Sequence, residues 1–390
     1  MSREAPFTFY EFFAGGGMAR LGLGDGWQCL FANDFDPLKT ATYRNNFGND
    51  HLHQGDVWAV DPVNLPGRAD LAWASSPCQD VSLAGARAGL GGARSSAYWG
   101  FWQLVEELNG QQRAPRVVVI ENVTGLLTSH HGADFTVLCR SLCDQGYHFG
   151  AVEIDAARFV PQSRARVFII ATQGDAPHPV SQIEGTLPFH SKRITGAFER
   201  LPPDLQASWV WWRLPFPAAQ NELLDSVLEP DDEVAWLSEK KTNALVALLN
   251  ERHRDKLKLA KARGERTVGT LFRRMRAEQG RKHQRAELRF DGMAGCLRTP
   301  GGGSSKQFVV VVEGEVVKAR ALTSRECARL MTIPEDYDLP PRTTAALHVT
   351  GDGVVVKVVD FIRASLLEPL LEFEAKDEDA KSEERRRARA

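Results

Sequence analysis

The stretch Phe7-Thr8-Phe9-Tyr10-Glu11-Phe12-Phe13-Ala14-Gly15-Gly16-Gly17-Met18 passes from an apolar run into three glycines and then into a helix-forming segment, residues 18–23. A strand, a glycine turn and a helix in direct succession open an α/β unit. The chain then repeats the alternation. Residues 29–32 read as the next strand, and residues 37–46 as a helix whose Pro37 suits the first turn. Further strands are expected at 51–55, 71–74, 117–120, 148–154 and 167–171, with amphipathic helices at 97–109 and 134–145. This order predicts a mostly parallel sheet flanked by helices.

The pattern breaks at the Gln-Gly-Asp-Ala-Pro-His-Pro that follows Thr172, so residues 1–175 are expected to form the first domain. Residues 176–340 hold Trp209, Trp211 and Trp212 among prolines, the turn Pro300-Gly-Gly-Gly-Ser-Ser and a strand pair at 308–312 and 316–319. They read as a smaller, irregular domain. Residues 341–374 include Gly353-Val-Val-Val-Lys-Val-Val-Asp-Phe-Ile, expected as a helix packing back onto the first domain. Residues 375–390 are almost wholly charged with Ala and Ser, a composition that predicts disorder.

With 43% hydrophobic and 25% charged residues among 390, the chain has the makings of an ordinary globular core. No apolar run approaches the roughly 18 residues of a membrane helix, and residues 1–6 lack the pattern of a signal peptide, so a cytoplasmic protein is expected. The cysteines at 29, 78, 139, 143, 296 and 327 form no Cys-x-x-Cys pair and no zinc spacing. They read as reduced thiols. Net charge is −2 overall, yet residues 251–289 carry 14 Lys or Arg against 5 Asp or Glu. Such a run is either a solvated helical face or a surface that tracks phosphates.

The glycine turn lets backbone N–H groups approach a ligand that a side chain would block. Asp34, past the second strand, suits ribose hydroxyls, and Asp56, past the third, suits an adenine amino group. The six-residue dinucleotide fingerprint is not intact, so a single adenosine fits better. Pro77-Cys78-Gln79 closes the apolar run from Leu71, and Glu121-Asn122-Val123 closes the run Val117-Val-Val-Ile. A lone cysteine is more often buried and inert. Here Pro77 stiffens its approach, and the Gly-rich stretch Ala84-Gly-Ala-Arg-Ala-Gly-Leu-Gly-Gly reads as a mobile loop able to close over a substrate. A thiol and a carboxyl at neighbouring strand ends point to covalent chemistry.

These blocks, with Asn33-Asp34-Phe35-Asp36, Gly55-Asp56-Val57, Gln162-Ser-Arg164-Ala-Arg166, Leu322-Thr-Ser-Arg325-Glu326-Cys-Ala-Arg329 and Gly351-Asp-Gly-Val, occur in the order of the DNA (cytosine-5) methyltransferase family, which the chain resembles over nearly its whole length. The resemblance implies a Rossmann-like methyltransferase domain, a smaller target-recognition domain, and methyl transfer from S-adenosylmethionine to carbon 5 of a flipped-out cytosine in a specific double-stranded sequence. By the same likeness, Cys78 is the nucleophile, Glu121 holds the cytosine edge, and Arg164 or Arg166 supplies the positive setting that a thiolate needs. Phe13, Ala14, Gly15, Gly17, Asp34, Phe35, Asp56, Pro77, Asp352 and Val354 would hold the cofactor. Gln79, Ser82, Arg94, Asn122, Gln162, Arg298 and Thr299 would meet DNA. A monomer is expected, with a restriction endonuclease as a functional partner left open.

The likeness is incomplete in places. Asp352 stands where the family usually has Asn, and Ser163 replaces a commonly basic residue. An RNA-acting branch typically carries Cys-Phe-Thr where this chain has Cys296-Leu297-Arg298, which favours DNA. Amino-methyltransferases would show Asp-Pro-Pro-Tyr or Asn-Pro-Pro-Tyr in place of Ser76-Pro77-Cys78-Gln79.

Overall fold

The computed structural model describes residues 7–76, 97–174, 176–177, 179–218, 220, 222–278, 281–299 and 306–373, and the chain divides into two compact units. In the first, strands β1 (Phe7–Phe12), β2 (Trp27–Asp34), β3 (Leu52–Gln54), β4 (Leu71–Ala74), β5 (Val117–Val123), β6 (His148–Asp155) and β7 (Ala165–Thr172) form one sheet in the order β3-β2-β1-β4-β5-β7-β6. The pairs β3–β2, β2–β1, β1–β4 and β4–β5 are parallel, while β7 runs antiparallel to β5. The alternation expected from the apolar runs is therefore the observed one, with β7 as the reversed strand.

After β1 the chain builds outward through β2 and β3, then returns to the other side of β1 to lay down β4 and β5. The carboxyl ends of β1 and β4 thus flank the point where strand order reverses, where ligands bind in open α/β sheets. Helices α1 (Met18–Leu23), α2 (Pro37–Phe47), α3 (Ala97–Gly110) and α4 (Ala133–Asp144) connect these strands. Asp36 caps α2, its carboxylate accepting the Leu38 and Lys39 N–H groups, and Pro37 occupies the first turn. Apolar side chains of α3 such as Tyr98, Phe101 and Trp102 are fully buried against the sheet.

The boundary expected near residue 175 needs correction, because the first unit continues to Pro217. Its continuation holds β8 (Ser181–Gln182), α5 (Lys192–Glu199), α6 (Pro203–Ala207) and β9 (Trp211–Trp212). The tryptophans that looked like the start of a second domain complete the first core: the Trp209 ring lies 5.8 Å from Phe149, and the Trp212 indole N–H donates to Ile170 O (3.1 Å). A Cβ on Gly150 would sit 1.8 Å from Val210 O, so glycine is needed for that strand contact. The return to the first unit likewise begins at Val356 rather than 341. A helix at Val356–Ile362 packs on α1 so closely that a Cβ on Gly22 would lie 2.4 Å from Val359 Cβ.

The second unit spans residues 155–164 and 218–355. It contains α7 (Glu239–Ala247), α8 (Glu251–Arg263), β10 (Thr267–Glu278), β11 (Arg281–Arg289), β12 (Gln307–Glu313), β13 (Val316–Ala321), α9 (Ser324–Leu330) and α10 (Thr343–Asp352). It is more regular than expected, since β11-β10-β12-β13 form one antiparallel sheet over a core that includes Leu245, Leu257, Leu288 and Val310. The basic run is half helix, in α8, and half hairpin, in β10 and β11. Among the described residues no helix is long and apolar enough to cross a membrane. The expected disordered tail, 375–390, lies outside the described residues.

Candidate active site

At the end of β1 the backbone turns through Phe13 (φ +56°), Gly15 (φ +58°) and Gly17 (φ +81°). Two N–H groups bind this turn to the end of β2: Ala14 donates to Asn33 O (2.9 Å) and Gly15 to Asp34 Oδ2 (2.8 Å). The glycines differ in what requires them. A Cβ on Gly17 would meet the Phe47 ring at 2.3 Å, whereas nothing lies within 4 Å of one on Gly15. Packing excludes a side chain at Gly17, while Gly15 keeps open backbone. A non-glycine residue in the left-handed region, as at Phe13, is held by its surroundings against its own preference.

Asp34 is 8% exposed, and its Oδ1 accepts the Asp36 N–H at 2.8 Å. Burial pushes its carboxyl above the ordinary range, against the lowering effect of the two N–H donors. The next residue, Phe35, is 75% exposed. Open glycine backbone, a held acceptor carboxylate and a bare aromatic face together fit a nucleoside such as that of S-adenosylmethionine. Asp56 is exposed and caps the 3-10 turn Val57–Ala59 through the Trp58 N–H (3.1 Å).

Glu121 and Asn122 lie near the end of β5. The Arg166 Nε contacts Glu121 Oε1 at 3.0 Å, with side-chain exposures of 16% and 8%. The reversed direction of β7 makes this pairing possible, bringing Arg166 opposite Val123. Asn122 Nδ2 donates to Ser76 O (3.2 Å) and Ser76 Oγ (3.4 Å). The side chain after Glu121 therefore ties β5 to the backbone two residues before Cys78. Cys78 itself, with Pro77, Gln79, Ser82, Arg94 and the Gly-rich stretch that follows, lies outside the described residues. The five described cysteines are free thiols.

Most of the remaining expected site residues belong to the second unit. Arg164, paired with Arg166 in the sequence reading, is 3% exposed and donates to Leu297 O (2.7 Å), Gly351 O (2.9 Å) and Gly353 O (2.7 Å). Those carbonyls employ its guanidinium as an internal brace, while the thiol it was expected to serve lies outside the described residues. Gln162, expected on DNA, is fully buried, its Nε2 donating to Leu330 O and its Oε1 accepting the Leu297 N–H. The expectation that Gln162 meets DNA is corrected, since its buried side chain leaves no surface for a nucleic acid. Asn122 is likewise 3% exposed and engaged with Ser76. Arg298 is exposed, Thr299 donates to the exposed Asp352, and Val354 is buried. Gly351 has no room for a side chain, as its Cβ would meet the Thr299 nitrogen at 2.7 Å.

Two clusters escaped the sequence reading. Glu11, in β1, is 1% exposed; one oxygen accepts the Arg20 N–H (3.4 Å) and the other has no hydrogen-bond partner. Burial pushes its pKa to about 8 despite the Arg20 charge. Tyr43, His51 and Cys29 complete this group, and burial raises the Cys29 thiol to about 12. The signal was an acid inside Phe-Tyr-Glu-Phe-Phe. The second cluster is a buried bidentate pair, Arg320 to Glu326 at 2.7 and 2.6 Å, formed across the turn from β13 into α9. Glu326 also completes the capping box of α9 with Thr323, whereas Arg325 donates to Pro334 O and Tyr337 O.

The chain is similar to known proteins over almost its full length. It is 26% identical to the type II methyltransferase M.HhaI of Haemophilus parahaemolyticus, covering 91% of this chain and 92% of that protein. It is 25% identical to the type II methyltransferase M.HpaII of Haemophilus parainfluenzae, covering 93% and 90%. The S. pombe Dnmt2 methyltransferase structure superposes with a TM-score of 0.60 at 17% identity, covering 93% of this chain and 99% of that one, a likeness of fold. The family model described as C-5 cytosine-specific DNA methylase matches residues 7–368. With that match added to the strand order and the strand-end residues, the chain belongs to the C-5 cytosine-specific DNA methylases, which use S-adenosylmethionine to methylate cytosine in DNA.

Proposed function

We propose that the enzyme methylates one cytosine within a specific double-stranded site, flipping the base out of the duplex and bonding it transiently to Cys78. The observation that carries this reading is the Asn122–Ser76 tie, which joins the strand bearing Glu121 to the segment that leads into Cys78. Carbon 5 of cytosine is a weak nucleophile, so the Cys78 thiolate first adds to carbon 6 and makes the ring electron-rich. Glu121, in its protonated form, holds N3 and the amino edge of the base and shares its proton with N3, neutralising charge as sulfur adds. Arg166 orients that carboxyl group and contributes positive potential at the strand ends. S-adenosylmethionine, held by Phe13, Ala14, Gly15, Gly17, Asp34, Phe35, Asp56 and Pro77, supplies an electrophilic methyl group. Carbon 5 takes the methyl as S-adenosylhomocysteine departs, then loses its proton to a base as the thiolate leaves and Glu121 takes back the N3 proton.

Flipping the target costs about a few kcal/mol of unstacking, which contacts with the extruded nucleotide offset. Residues 218–355 are the unit we assign to reading the target, and Arg298 and Thr299 remain candidates to meet DNA there. Methyl transfer to plasmid DNA, followed by bisulfite mapping, should find 5-methylcytosine at one short recurring sequence. Cys78→Ala should abolish it while S-adenosylmethionine binding persists. Absence of 5-methylcytosine with the intact enzyme, or undiminished transfer by Cys78→Ala, contradicts the reading.

A further inference from the structure

The five described cysteines differ in their prospects as reactive groups. Cys29, Cys139 and Cys327 are buried, and burial raises all three thiols, that of Cys29 to about 12. Such thiols are inert, because the thiolate is the attacking form and a reagent needs a path to it. Cys143 is half-buried on α4, its Sγ in contact with Ser208 Oγ at 3.4 Å. Cys296 is the other half-buried thiol, and its surroundings differ in kind.

Cys296 lines a cleft of about 680 Å³ within the second unit, together with Lys256, Arg273, Arg289 and Arg298. Among the described lining residues the acid is Glu287 alone. Arg164 Nη1 donates to Cys296 Sγ (3.3 Å), and the thiol in turn donates to Leu297 O (3.3 Å). Cations so placed stabilise the negative charge that spreads over sulfur and a leaving oxygen when a thiol attacks a peroxide.

Gln307, the first residue of β12, adds an independent sign. It lines the same cleft and is 7% exposed; its Nε2 donates to Cys296 O (3.4 Å), while its Oε1 has no hydrogen-bond partner among the described residues. A Cβ on Gly295 would sit 3.0 Å from that oxygen, so the amide lies along the backbone that presents Cys296. A buried acceptor left unsatisfied is costly, and a donor arriving beside it is favoured. A hydroxyl added to the neighbouring sulfur is such a donor.

We propose that Cys296 is a modification site, a thiol whose oxidation by peroxide suspends DNA binding by the second unit. The proposal rests on residues 218–355 reading the target and adds a means of interrupting that reading. The sulfur gives up its proton and attacks one oxygen of hydrogen peroxide; the O–O bond breaks, and the departing hydroxide takes the proton and leaves as water. Cys296 becomes a sulfenic acid, its sulfur oxidised and the peroxide reduced, and its new hydroxyl donates to Gln307 Oε1. The added oxygen crowds the Arg164 guanidinium, which is 3% exposed and holds Leu297 O (2.7 Å), the residue before Arg298. Close-packed surroundings have little room for an extra atom, so Arg298 is displaced and the cleft narrows.

The test uses the full chain carrying Cys78→Ala, so that the proposed nucleophile cannot itself be oxidised, with and without Cys296→Ser. After hydrogen peroxide, dimedone, which bonds to sulfenic sulfur with loss of water, should label Cys296 in preference to Cys29, Cys139, Cys143 and Cys327 in peptide mass spectra. The treated Cys78→Ala chain should bind a labelled DNA duplex at least about tenfold more weakly and recover with dithiothreitol, whereas the double variant should change by less than about twofold. Both should keep their affinity for S-adenosylmethionine through the treatment. Label on Cys143 in place of Cys296, oxidised Cys296 with undiminished DNA affinity, an equal loss in the double variant, or loss of S-adenosylmethionine binding alongside overturns the proposal. An untreated wild-type chain that methylates no plasmid DNA overturns the proposed function instead, a result on which the labelling of Cys296 does not depend.

Discussion

Arg166 and Glu121 make the same point about residues that Arg164 makes by contrast. The block Gln162-Ser-Arg164-Ala-Arg166 shows two arginines one residue apart, and nothing in that spacing tells which meets a carboxylate at the sheet edge and which braces carbonyls elsewhere. Their difference arises from β7 beginning at Ala165, between the two. Arg166→Ala should lower kcat by about 10² to 10³, the cost of removing one oriented charge partner, with cofactor binding unchanged in calorimetry. A kcat within a factor of about two of wild type would remove Arg166 from the mechanism. The signals for Asp34 and Glu121 were legible because polar residues at the ends of apolar runs stand out. Glu11 was hidden by lying inside one.

Burial gives Glu11 a second consequence. Its folded pKa of about 8 lies above the unfolded value of 4.5, so the native state holds a proton that the unfolded chain releases across that window. Its stabilising contribution is complete below pH 4.5 and is lost as pH rises toward 8, with a slope of about 1.4 kcal/mol per pH unit. Glu11→Gln should flatten that part of the stability curve in denaturant titrations run from pH 5 to 8. An unchanged slope would mean that Glu11 is ionised when folded.

Among the elements, helices were easier to read than their partners. α3 and α4 appeared within a residue or two of expectation because each carries a continuous apolar face. The hairpin of β10 and β11 did not, since only its base, with Leu271, Ala286 and Leu288, is covered, and its exposed part, including residues 274–277 and 282–283, has no hydrophobic period. The short helix α9 depends on a contact the sequence could not show. Glu326 is 0% exposed and serves Arg320, the Thr323 cap and the Glu229 N–H together. Arg320→Ala leaves that carboxylate buried without its counter-charge and should destabilise the fold by about 3 to 5 kcal/mol, whereas an Arg320→Met, Glu326→Leu double variant should recover part of the loss. Denaturant midpoints measure both, and a single variant costing under about 1 kcal/mol would show the pair to be weakly coupled.

For the whole molecule, the order of elements was legible from alternation, but the division of the chain was not. Prolines and a change of rhythm marked residue 175, yet Trp209 and Trp212 carry the first core on to Pro217, and Val356 brings the chain back to it. Composition records where regular structure pauses, whereas a core closes wherever large side chains find unfilled space. The central claim concerns the complete enzyme with DNA and cofactor: that Cys78 bonds to carbon 6 of an extruded cytosine. Fluorine at carbon 5 cannot depart as a proton does, so the adduct should persist after methyl transfer. With 5-fluorocytosine duplex spanning the mapped site and S-adenosylmethionine present, the account predicts a protein–DNA species stable to denaturing electrophoresis, formed by the wild type and absent with Cys78→Ser. An intact enzyme that methylates ordinary DNA but leaves no trapped species, or an adduct that forms equally in Cys78→Ser, would contradict it.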